Sequence, residues 1–98
     1  NPCGLLITGV MMLEYLGLKD HAARLEKAIG DVLVESKYLT YDIWRDDKAD
    51  KDWEKKAVST LDMAKAIASK IDPDFDKKAD AICAKAREMC AWEHLVQK

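Results

Sequence analysis

The residues with chemical direction lie in Thr40-Tyr41-Asp42-Ile43-Trp44-Arg45, taken together with Asn1. An arginine four positions after a tyrosine, beside a short extended segment, can set a planar guanidinium and a phenol on one phosphate monoester. The ordinary alternative is a surface arginine paired with one of the aspartates that follow it. His21 and His94 stand far apart, each inside a helical pattern, and read as surface or partly packed histidines without a catalytic partner. Cys83 and Cys90 share a helix face, but nothing local would lower a thiol pKa, so both read as small packing residues. Asp46, Asp47, Asp50 and Asp52 lack the glycine and the closing bidentate glutamate of a calcium loop. No catalytic residue and no metal ligand is assigned within the chain.

These residues need elements to hold them. Asn1-Pro2 is a helix start, since Asn can accept an orphan N–H and Pro is tolerated in the first turn. Leu5, Leu6, Ile7, Val10, Met11, Met12, Leu13 and Leu16 then cover nearly the whole circumference of a helix running to Gly17, which must be enclosed on several sides. A second helix, from about Asp20 to Glu35, turns Ala22, Leu25, Ile29 and Val32 inward and forms an antiparallel hairpin with the first. Tyr38 to Ile43 mixes β-branched and aromatic residues in rough alternation, which predicts a short extended segment.

From Arg45 to Lys56, ten of twelve residues are charged, five of each sign, which fits a solvated loop or surface helix with Trp53 lying back on the body. Ser59 with Asp62 fits a capping box, opening a third helix to Ile71 with Leu61, Ala64, Ile67, Ala68 and Ile71 inward. Asp72-Pro73 opens a fourth, reaching towards Val96, whose Phe75, Ala79, Ile82, Ala86 and Met89 make a narrow seam suited to a partner helix. The expected architecture is mainly α: about four helices with one or two short extended segments.

Composition narrows the function classes. The chain has 98 residues, 49% apolar and 35% charged, with 16 basic and 18 acidic residues, the balance of an ordinary globular domain. A net charge of -2 creates no field to gather nucleic acid or an anionic membrane, so neither is an expected partner. Cys3, Cys83 and Cys90 form an odd set without a CxxC pair, as suits reduced thiols in a cytosol-like compartment. The longest uncharged stretch, Asn1 to Leu13, is short of the ~20 residues that span a bilayer. Opening on Asn and entering an apolar segment at once, the chain is expected to be a piece of a longer protein.

Asn1-Pro2-Cys3-Gly4-Leu5-Leu6-Ile7-Thr8-Gly9-Val10-Met11-Met12-Leu13-Glu14-Tyr15-Leu16-Gly17, followed by Ala22, Ala23, Leu25, Ala28 and Leu39-Thr40-Tyr41-Asp42-Ile43, resembles one family closely. That family is the β-decarboxylating dehydrogenases, the isocitrate and isopropylmalate dehydrogenases, and the likeness is to their C-terminal part, most of all in NADP-dependent isocitrate dehydrogenase. It is strong from Asn1 to about Arg45 and looser over Ala57-Val58-Ser59-Thr60 with Met63, Ala66 and Ile67.

The resemblance implies an α/β parent enzyme, cytoplasmic or of the mitochondrial matrix, that works as a homodimer with NADP and Mg2+ or Mn2+. It would oxidise a 2-hydroxy acid and release carbon dioxide. In this family the residue matching Asn1 contacts the adenine ring, and in NADP-using members those matching Tyr41 and Arg45 hold the ribose 2′-phosphate. The catalytic residues and the metal ligands lie upstream of this segment in the family, so the chain alone is expected to be inactive. Residues 1–71 would belong to the large dehydrogenase domain, with a charged insertion at 46–56 where the family has a short glycine-containing turn. Residues 72–98 would form a helical extension. The alternative is a non-catalytic interaction module of the same descent, docking through its C-terminal helix.

Overall fold

A computed structural model describes residues 1–45 and 52–90, except for the side chains of Trp53, Cys83 and Cys90. Its elements are α1 (Cys3–Tyr15), α2 (Lys19–Glu35), α3 (Tyr41–Arg45), α4 (Trp53–Lys56), α5 (Thr60–Ile71) and α6 (Phe75–Cys90). The mainly helical class is as expected. Among the described residues there are six helices rather than four and no strand.

Local chemistry accounts for each long helix. Asn1 Oδ1 accepts from the Cys3 N–H at 2.9 Å and so caps the start of α1. Gly17, at φ +80°, turns the chain out of α1 in the left-handed region that costs glycine nothing. α2 then packs back along α1. Ser36 ends α2 at φ 57°, its hydroxyl donating to the Leu33 carbonyl at 3.1 Å. Ser59 Oγ accepts from the Asp62 N–H at 3.1 Å and starts α5, as the cap pattern predicts. Asp72 Oδ1 accepts from the Asp74 N–H at 3.0 Å on the way into α6.

The core lies where α2 is flanked by α1 on one side and α5 on the other. Val10, Ala22, Ala28, Ile29, Val32, Leu39, Met63 and Ile67 are its buried members. Of the inward set expected on α2, Ala22, Ile29 and Val32 are buried and Leu25 is half-buried. On α5 the expected inward face is rotated. Met63 is 0% exposed whereas Leu61 is 62% exposed, so the face turned to α2 starts from Met63 and runs through Ile67. Two residues apart, Leu61 and Met63 lie about 200° apart round the helix, so with Met63 against α2 Leu61 faces away.

The extended segment expected over Tyr38–Ile43 is not formed, because its second half is α3. Among the described residues there is no strand for it to pair with, and an unpaired strand leaves its backbone groups without partners. The Thr40 carbonyl instead accepts from the N–H groups of Ile43 and Trp44 at 3.1 and 3.4 Å. Only Leu39 keeps a ladder-like contact, its carbonyl accepting from Val58 N at 3.0 Å.

Two apolar surfaces stay uncovered. On α1, Leu5 is 80% and Tyr15 91% exposed, and Ile7, Met11, Met12 and Leu16 are exposed with them. On α6, Phe75 and Ala79 are half-buried while Ile82, Ala86 and Met89 are exposed, so the seam is closed only at its start. The stretch expected to carry α6 on to Val96, with His94, lies outside the described residues, as do Asp46, Asp47 and Asp50 of the charged run and the side chains of Trp53, Cys83 and Cys90.

Met63→Ala should lower the unfolding free energy by about 2–5 kcal/mol through cavity formation, while Leu61→Ala should change it by less than about 0.5 kcal/mol. Urea denaturation followed by far-UV circular dichroism measures both, and equal losses would contradict the orientation of α5.

Candidate functional site: the junction of the first helix with α3

The fold brings Asn1 against Asp42 of α3, the helix that also carries Tyr41 and Arg45. The Asn1 side chain uses both of its ends. While Oδ1 caps α1, Nδ2 donates to Asp42 Oδ2 at 2.9 Å, tying the start of α1 to the first turn of α3. The backbone nitrogen of Asn1 reaches Thr60 Oγ1 at 3.3 Å, which adds the start of α5.

Thr40 is the buried polar residue beneath this junction, and its hydroxyl donates to the other Asp42 oxygen. Asp42 therefore accepts at both carboxylate oxygens. Its pKa is held below the ordinary aspartate range, first by the Thr40 hydroxyl and then by the Asn1 amide. The Cys3 thiol, half-buried beside it, is pushed up chiefly by desolvation, with Asp42 adding to the shift. Cys3 is thus a poor nucleophile at neutral pH.

Tyr41 and Arg45 are one helical turn apart on α3, and both are exposed. The Arg45 guanidinium carbon sits 5.9 Å from the Tyr41 ring centroid, a cation–π arrangement that presents phenol and guanidinium side by side. An exposed phenol beside a forked cation is a donor set suited to a phosphate monoester. Trp44, on the same helix, is half-buried, and its indole nitrogen is shut from solvent without a hydrogen-bond acceptor. Lys56 of α4 lies over the Trp44 ring, its Nζ 5.4 Å from the centroid. Thr40 lies in the expected stretch without an expected role, and Lys56 stands outside it. Thr40 could have been suspected from the Thr-x-Asp spacing of a side-chain-capped turn. For Lys56 no local signal exists, because its role depends on how α4 folds back onto α3.

His21 is exposed on α2. Among the described residues, no group of three or more His, Cys, Asp or Glu side chains could hold a metal ion, and no helix is long and apolar enough to cross a membrane.

The family model described as isocitrate/isopropylmalate dehydrogenase matches residues 1–67. The chain belongs to the isocitrate/isopropylmalate dehydrogenase family. The match ends inside α5 and leaves α6 beyond it. Among curated relatives, the probable isocitrate dehydrogenase [NAD] subunit alpha, mitochondrial, of Caenorhabditis elegans is 46% identical over 43 residues. Its human counterpart, isocitrate dehydrogenase [NAD] subunit alpha, mitochondrial, is 49% identical over the same length. A mitochondrial regulatory subunit of isocitrate dehydrogenase [NAD] from Dictyostelium discoideum is 51% identical, again over 43 residues. Each match covers 44% of this chain and 12% of the relative. No solved structure matches the chain.

Because Asp42 is favoured in its charged form, its contribution to the junction is fully present above the ordinary carboxylate pKa and is lost as pH falls through its depressed value. In a carboxyl-carbon NMR titration Asp42 should titrate below the model-peptide midpoint of about 3.9. Thr40→Val and Asn1→Ala should each raise that midpoint, the former by more. A midpoint at the ordinary value in the unsubstituted chain would contradict the two-sided hydrogen bonding.

Proposed function

We propose that this chain is the C-terminal, cofactor-contacting part of an isocitrate dehydrogenase that uses NADP. The parent reaction is oxidation of the isocitrate hydroxyl followed by decarboxylation to 2-oxoglutarate. The observation that carries the reading is the junction that sets Asn1 against α3, the helix bearing the Tyr41–Arg45 pair. In it Arg45 and the Tyr41 hydroxyl would hold the ribose 2′-phosphate, and Asn1 would contact the adenine. NADP accepts the hydride when bound; this chain's part is to recognise and orient the nucleotide end.

The catalytic residues, and the ligands of the Mg2+ or Mn2+ that the family resemblance implies, would lie outside this chain. Two facts support that division. The match spans only 12% of each relative's length, and the outer face of α1 exposes apolar side chains that a larger body would cover. Residues 1–71 would then belong to the large dehydrogenase domain and 72–98 to an added helical extension. The relatives' names favour a mitochondrial location over the cytoplasm, and they speak of alpha and regulatory subunits, so an oligomer of unlike chains stands beside the homodimer the family resemblance implies.

A second reading has its own support: the relatives are by name NAD enzymes, so the parent would use NAD and Arg45 would serve only its contact with Tyr41. The two readings separate on one variant. In the complete polypeptide, Arg45→Ala should reduce kcat/KM for NADP roughly 10–100-fold, the loss expected for one charge-assisted contact, and change that for NAD by less than about twofold. Equal losses for both cofactors, or none for either, would refute the NADP reading.

A further inference from the structure

The edge that carries Arg45 carries a second cation. Tyr41, Trp44 and Arg45 stand at i, i+3 and i+4 on α3, which places all three on one side of that short helix. Arg45 lies over the Tyr41 ring, and Lys56, arriving from α4, lies over the Trp44 ring. Two cations are therefore held above two neighbouring rings by two different elements.

The Trp44 ring is a firm platform for this. It is half-buried against the core, with its indole nitrogen closed off from solvent, so it has little freedom to swing away. A lysine over such a ring rests its methylene stem on the apolar face and keeps its ammonium at the solvent edge. Arg45 and Lys56 each make a further interaction, which an incoming anion would have to join or displace.

A phosphate monoester carries close to two negative charges and three acceptor oxygens at neutral pH. One guanidinium fork can engage two oxygens and balance one charge; an ammonium, a compact point charge, is suited to what remains. We propose that Lys56 is a specificity-determining residue that shares the ribose 2′-phosphate with Arg45. The proposal rests on the NADP reading and adds to it a residue from the charged stretch that sets this chain apart from the family pattern.

Lys56→Met tests it in the complete polypeptide, because methionine keeps an apolar stem over Trp44 and removes only the charge. The expected result is a roughly tenfold rise in KM for NADP with kcat and the NAD parameters within about twofold, restored largely by Lys56→Arg. Adenosine 2′-monophosphate, titrated calorimetrically, should lose affinity by a similar factor, whereas adenosine 5′-monophosphate should not. If Arg45→Ala discriminates between the cofactors and Lys56→Met does not, the role of Lys56 is overturned and the NADP reading stands. If neither discriminates, both fall.

Discussion

One asparagine side chain joins the start of the first helix to α3. By accepting from Cys3 and donating to Asp42, Asn1 starts one helix and anchors another at the same point. Helix α3 is too short to be stable on propensity, since a single turn fixes several residues for one or two hydrogen bonds. It persists because Thr40 is buried beneath it, Asp42 is bound on both oxygens, and Arg45 folds back over Tyr41. The exposed phenol and guanidinium owe their common direction to that arrangement.

Around this junction the molecule is lopsided. The core between α1, α2 and α5 is small, and α2 supplies half of its buried hydrophobic members. Away from it, α1 turns leucine, isoleucine and methionine outward, and most of the α6 seam is bare. Ion pairs on the rim, such as Lys70 with Glu35 and Lys78 with Asp72, link α5 to α2 and brace the entry to α6. Being exposed, such pairs contribute little stability individually. On the proposed reading, this exposed apolar area is where the rest of the parent enzyme would pack.

Much of this was legible in the residues, and where it was not the cause is physical. Gly17 and Ser59 carry their meaning locally, through a left-handed backbone in one case and a hydroxyl cap in the other, and both act as their types predict. The inward face of α2 follows largely from its spacing, with Ala28 buried beside the expected Ile29 and Leu25 only half-buried. Leu61 misleads because periodicity says which residues share a face and not which of two adjoining faces a neighbour covers. Tyr38–Ile43 misleads because β-propensity has force only beside another strand, and the buried Thr40 with its bonded Asp42 favours a turn. The pairing of Asn1 with α3 could be named only through the family resemblance, since the hydrogen bond joining them spans 41 positions. Lys56 was invisible for the same reason, without a resemblance to help.

Function turns on whether Asn1, Tyr41 and Arg45 form one wall for the nucleotide end of NADP. A crystal structure of the complete polypeptide with NADP bound tests this directly. The expected result is the ribose 2′-phosphate within hydrogen-bond distance of both the Arg45 guanidinium and the Tyr41 hydroxyl, with the adenine beside Asn1. A 2′-phosphate held by other residues, with Tyr41 and Arg45 facing solvent away from it, would contradict that wall and the cofactor role built on it.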